Sequence, residues 1–110
     1  MHMSSIVKVL QPSGILNGIS ANQLRCDISD LVRSGVDIVL IDLQDVTFID
    51  SSGLGALVAM MKMVQTAGGK LFVCSINEQV RMLFELTRME KVFERFADQD
   101  EFNRQTLATD

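Results

Sequence analysis

Two adjacent hydroxyls stand near the middle of this sequence, in Asp50-Ser51-Ser52-Gly53. Such a cluster can cap a helix, attack an electrophile or accept a phosphoryl group. Capping asks only for a short side chain whose oxygen accepts the orphan N–H groups of a first helical turn, and Asp and Ser are preferred there. Nucleophilic attack asks for a base beside the serine. The only histidine is His2, in Met1-His2-Met3, and no Gly-x-Ser-x-Gly is present. An aspartate alone activates serine weakly, so no catalytic residue is assigned. Capping and phosphoryl acceptance both stay open, because there are two hydroxyls where one cap suffices and their neighbours are small.

The segment that follows argues for acceptance. The spacing predicts a helix from about Ser52 to Ala67, stopped by Gly68-Gly69. At about 100° per residue, Leu54, Leu57, Met61 and Val64 share the core face. The opposite face holds Ser52, Ala56, Ala59 and Met63, flanked by Gly55, Lys62 and Thr66. A solvated face would carry several Glu and Lys. Small residues and a methionine suit a closely packed partner, so Ser52, Gly55, Ala56, Ala59 and Met63 form the expected docking stripe. A phosphoserine at its head adds about −1.5 to −2 charges. The helix N-terminus tolerates that charge, whereas beside Asp50 it opposes docking by repulsion and desolvation.

The elements that position this turn are readable in order. Ile6 to Leu10 alternates around Lys8 as a strand, Gln11-Pro12-Ser13-Gly14 interrupts it, Ile15 and Leu16 resume it, and Asn17-Gly18 is a turn. Ser20 caps a helix from Ala21 to about Arg33 that buries Leu24, Ile28, Leu31 and Val32 and ends at Gly35. Val36 to Leu43 is the central strand, leading through a short acidic turn to Asp50. Lys70 to Ser75 is the next strand, parallel to it through a right-handed crossover. Asn77 caps a helix from Glu78 to about Thr87 that buries Val80, Leu83, Phe84 and Leu86. Val92 to Phe96 is a short edge strand, and Asp98 caps a last helix docked by Phe102 and Leu107. The expected fold is a small α/β domain with an approximately four-stranded mixed sheet and helices mainly on one face. One domain is expected over residues 4–110.

Composition narrows the function. An apolar fraction of 47% permits a real core, and no apolar run approaches the roughly 20 residues that span a bilayer. Met1 to Ser5 has neither a basic start nor an apolar centre, so no export leader is expected there. Net charge is −4 with the basic residues scattered, against nucleic-acid binding. Cys26 and Cys74 match no metal spacing and suit a reducing cytosol. Tyr and Trp are absent, which removes the usual stacking platforms for bases and sugars. Asp42, Asp45 and Asp50 could be read as a magnesium cluster, but Asp42 and Asp45 more simply solvate a strand end. Val39 to Leu43 resembles the central strand of a receiver domain, yet the first strand leads into no acidic pair and Lys70 begins its strand. No metal or cofactor is expected.

Leu43-Gln44-Asp45-Val46-Thr47-Phe48-Ile49-Asp50-Ser51-Ser52-Gly53-Leu54-Gly55 resembles the signature of the STAS family, and within it the bacterial anti-sigma factor antagonists. The likeness runs from about Gly14 onward and includes Gly68-Gly69-Lys70, Val73 to Ile76, and Val80 to Leu86 followed by Val92-Phe93. The resemblance implies a non-enzymatic role in partner switching. Ser51 would be phosphorylated by a serine kinase that is also the anti-sigma factor, with Ser52 as second candidate. The unphosphorylated form binds that kinase, and a PP2C-type phosphatase reverses the modification. Asn17 stands where the family often has an Asp, and with Asp50 and Gly53 it is the expected support of the loop. Related antagonists have a further strand ahead of Ile6 to Leu10, and the edge left here could be covered by a second copy, as a homodimer. The alternatives are a constitutive scaffold module and, less favoured, a nucleotide- or lipid-binding module.

Overall fold

Six strands and four helices follow one another in the computed structural model, which describes residues 6–107. Expectations for residues 1–5, and for the side chain of Leu107, lie outside the described part. Strands β1 (Val7–Leu10), β3 (Ile38–Asp42), β5 (Lys70–Cys74) and β6 (Glu94–Phe96) make a four-stranded sheet in the order β1-β3-β5-β6. Four strands were expected, but as a mixed sheet, and every described pairing is parallel. The cause is connectivity: a helix intervenes between successive strands of this sheet, and such crossovers return the chain in the same direction.

Strand β3 lies between β1 and β5, and its side chains divide the core. Val39 and Ile41 face helices α1 (Ala21–Arg33), α2 (Ser51–Thr66) and α3 (Glu78–Leu86). Leu40 faces the other way, with Phe72 and Cys74, onto Phe102 of the short helix α4 (Gln99–Phe102). The rings of Phe72, Phe96 and Phe102 close that second face with centroids 5.4–5.6 Å apart. A π-helical turn, Asn103–Leu107, follows.

The remaining strands, β2 (Ser13–Leu16) and β4 (Asp45–Ile49), pair with each other in a separate two-stranded sheet. Strand β4 was expected as an acidic turn. A bulge accounts for its disguise. Gly14 pairs with Val46 but Ile15 pairs with Phe48, so Thr47 is left over. Thr47 and Phe48 both face outward, while Val46 and Ile49 face the core. The period of two that marks a strand is therefore broken in its middle.

Other corrections are local. Leu86 is 79% exposed, whereas Val80 and Phe84 are fully buried and Leu83 partly so. Ser20 does not cap α1, because its hydroxyl is engaged with Ile15 and Asn17 instead. Asp42 is not a solvating group. It is buried, accepting from the Gln44 N–H at 2.9 Å and from the Gln99 amide at 2.8 Å. Cys74 is buried as an apolar residue, and burial pushes its thiol pKa up.

Candidate functional site

Strands β2 and β4 end side by side, Leu16 beside Ile49, and the chain turns from Ile49 into α2. The Asp50 N–H donates to the Leu16 carbonyl at 3.3 Å. Three residues on, the backbone of Gly53 passes directly over that carbonyl. A Cβ on residue 53 would lie 2.1 Å from the Leu16 oxygen, so only glycine fits. Asp50 is extended, with φ −105°, and one of its carboxylate oxygens accepts from the Gly53 N–H at 2.8 Å. The same oxygen accepts from the Ser52 hydroxyl at 2.7 Å. The Gly53 N–H, followed by the Ser52 hydroxyl, holds the Asp50 carboxyl below its ordinary range. A carboxylate so satisfied is a poor general base.

The two serines have different surroundings. Ser52 is a bridge: besides donating to Asp50, its oxygen accepts from the Gly18 N–H at 3.0 Å. It thereby ties the start of α2 to the loop after β2. Asn17 organises that loop. Its side-chain oxygen accepts from the N–H groups of Ile19 and Ser20 at 2.9 and 2.8 Å, and its own N–H donates to the Ser20 hydroxyl. Ser51 is exposed, and among the described residues no hydrogen bond engages its hydroxyl. It stands at the edge of a groove of about 190 Å³ lined by Leu54, Gly55, Val58, Thr87 and Met89.

The expected docking stripe is only partly present. Ser52, Gly55 and Ala59 are exposed and Met63 is half-buried, but Ala56 is 5% exposed and belongs to the core. Met60, on neither expected face, is fully buried. The helix wheel assumed one covered side, whereas α2 packs against both α1 and β5 and is buried over a wider arc. The exposed apolar side chains lie elsewhere. Ile15 and Phe48 are neighbours on the outer face of β2 and β4, at 56% and 46% exposure, and Ile19 follows Gly18 at 84%. The bulge that turned Phe48 outward created this patch, so periodicity alone could not find it.

Among the described residues no group of three His, Cys, Asp or Glu is placed to hold a metal ion. Asp42, Asp45 and Asp50 form no magnesium cluster: Asp42 is bound by Gln44 and Gln99, Asp45 by Gln11, and Asp50 by the turn. No helix among the described residues is long and apolar enough to cross a membrane.

A parallel four-stranded sheet, a small separate strand pair and a capped serine turn at the end of that pair define the class. A family model described as "STAS domain" matches residues 2–102, and the chain belongs to the STAS domain family. Its relatives include the anti-sigma-B factor antagonist of Bacillus subtilis, 34% identical over 82 residues, covering 74% of each chain. The anti-sigma F factor antagonist of Paenibacillus polymyxa is 26% identical over 87 residues, 78% of this chain and 74% of that one. Among solved structures, a protein of Thermotoga maritima described as a putative anti-sigma factor antagonist superposes with a TM-score of 0.82. It is 27% identical and covers 90% of this chain and 86% of its own. Unphosphorylated SpoIIAA, at 17% identity and a TM-score of 0.72, covers 100% of this chain and 96% of its own and shares the fold.

Proposed function

We propose that this protein is an anti-sigma factor antagonist that works by partner switching and catalyses no reaction. Unphosphorylated, it binds an anti-sigma factor that is also a serine protein kinase. Phosphorylation of Ser51 releases it, and a PP2C-type phosphatase restores it. The relatives' names support the general role. The observation that carries the switch is the inequality of the two serines: Ser52 holds the fold, while the Ser51 hydroxyl is exposed and unengaged. A phosphate there lies at the N-terminal end of α2, where the helix dipole favours negative charge, so the fold accommodates it. The partner is expected to contact Ser51, Gly55 and Ala59 together with the apolar pair Ile15 and Phe48. Among the described residues no strand pairs with β1 on the side away from β3, and a second copy covering that edge, as a homodimer, belongs to the proposal.

The test uses the cognate kinase, ATP and phosphosite mapping. Ser51 is the expected site, Ser51→Ala abolishes labelling, and Ser51→Asp weakens kinase binding by about tenfold or more. Labelling confined to Ser52 would overturn the assignment. A second reading, a constitutive scaffold, is favoured by Asn17, whose side chain is neutral and occupied in its own turn. Equal partner affinity for wild type and Ser51→Asp would select it.

A further inference from the structure

Among the described residues no strand lies beside the edge of β4 that faces away from β2, yet four backbone groups of β4 are paired by side chains. Helix α3 supplies the partners through two side-chain amides. Asn77 donates to the carbonyls of Val46 and Thr47 at 3.1 and 3.4 Å, and its oxygen caps α3 through the Val80 N–H. Gln79 makes the tighter contact. Its oxygen accepts from the Ile49 N–H at 2.9 Å, and its NH₂ group donates to the Ile49 carbonyl at 2.9 Å. A half-buried side chain thus takes the place of a neighbouring strand, at the last residue before Asp50. The other end of α3 returns to the same turn, since Thr87 and Met89 line the groove that Ser51 borders.

We infer that Gln79 is a positioning residue for the Ser51 turn, acting through a two-point clamp on the backbone of Ile49. A carboxamide offers one donor and one acceptor side by side, and at this length both reach the same residue. Leu16 and Gly53 fix the turn from the β2 side, and Gln79 fixes it from the α3 side. The functional consequence rests on the reading of Ser51 as the modified residue, because a displaced turn presents its hydroxyl poorly to a kinase. The clamp itself does not depend on that reading.

The full chain is compared as wild type, Gln79→Met and Gln79→Glu. Methionine keeps the length and loses both bonds, while glutamate keeps the acceptor and sets an anionic oxygen against the Ile49 carbonyl. In Gln79→Met the Ile49 amide is expected to exchange about tenfold faster, with the Val80 amide unchanged and the Ser51 and Ser52 amide resonances shifted. In Gln79→Glu the Ile49 amide stays protected while the Ser51 and Ser52 resonances still move. With the cognate kinase, kcat for Ser51 labelling is expected to fall about tenfold in Gln79→Met with KM little changed. Unchanged Ile49 exchange and unchanged Ser51 and Ser52 resonances in Gln79→Met overturn the clamp. Altered exchange with unaltered labelling overturns the positioning role. Failure of both variants to fold also overturns it, since Gln79 would then be a general structural residue. A wild-type chain that the kinase does not label at Ser51 refutes the functional reading, while the exchange data still decide the clamp.

Discussion

Helices α2 and α3 begin in the same way and end up with different tasks. Each follows a strand, and each is preceded by an extended residue whose side-chain oxygen accepts the N–H three positions on: Asp50 from Gly53, and Asn77 from Val80. The difference lies in what else the capping group does. The Asn77 amide reaches outward to the carbonyls of Val46 and Thr47, so the start of α3 is fastened to β4. The Asp50 carboxylate turns its remaining capacity inward to Ser52, and Ser51 is left exposed. One helix start holds, the other presents. An amide can donate and accept, whereas a carboxylate only accepts, so the choice of Asn or Asp selects between these outcomes.

The sharpest way to break this arrangement is at Gly53. Its missing Cβ would meet backbone, which cannot step aside. Gly53→Ala is expected to cost about 3 kcal/mol or more and to lower Tm by over about 10 °C in thermal unfolding. Gly55→Ala, where an added Cβ meets nothing within 4 Å, provides the control and is expected to stabilise slightly.

The two caps come next. Asn77→Ala loses a cap and two outward bonds, and an expected cost of about 2 kcal/mol is read from denaturant unfolding. Asp50→Asn separates the caps by pH. The folded chain holds the Asp50 carboxyl below its ordinary value of 3.8. Its charge therefore contributes stability that is present above that value and lost as pH falls through the lowered one. The Tm difference between wild type and Asp50→Asn is expected to favour wild type near neutrality and to shrink below that ordinary value. The neutral Asn77 cap has no such dependence.

The smallest effects separate the serines. Ser52→Ala removes two hydrogen bonds and is expected to cost about 1 kcal/mol, while Ser51→Ala stays within about 0.5 kcal/mol of wild type. A larger loss in Ser51→Ala than in Ser52→Ala, by the same unfolding measurement, would remove the structural ground for telling them apart.

Helices and central strands were legible because each carried several agreeing local marks. Helix α2 has its cap, its apolar spacing and the Gly68 stop, where φ is +88°. Strand β3 has an unbroken apolar run. Strand β4 was not legible, because a register shift that depends on β2 breaks its alternation. Ala56 was misplaced for a related reason: alanine carries no mark of which side is covered, and the neighbour that covers it is distant in sequence. Asn17 and Gly18 were recognisable as a turn, but the Gly18 bond to Ser52 spans 34 residues, across α1, β3 and β4, and has no local signature. Gln79 left no trace at all, since a glutamine on the first turn of a helix is ordinary until a strand is placed beside it.

The parallel direction of every described strand pair has a kinetic consequence. No two paired strands are joined by a hairpin, so none can zip up locally, and each pairing waits for the chain to cross a helix first. Helices can form early. The Ser51 turn cannot, because it needs β2, β4 and α3 together. Its geometry is therefore complete only once these three elements have met, and it reports on the assembled fold rather than on any one element.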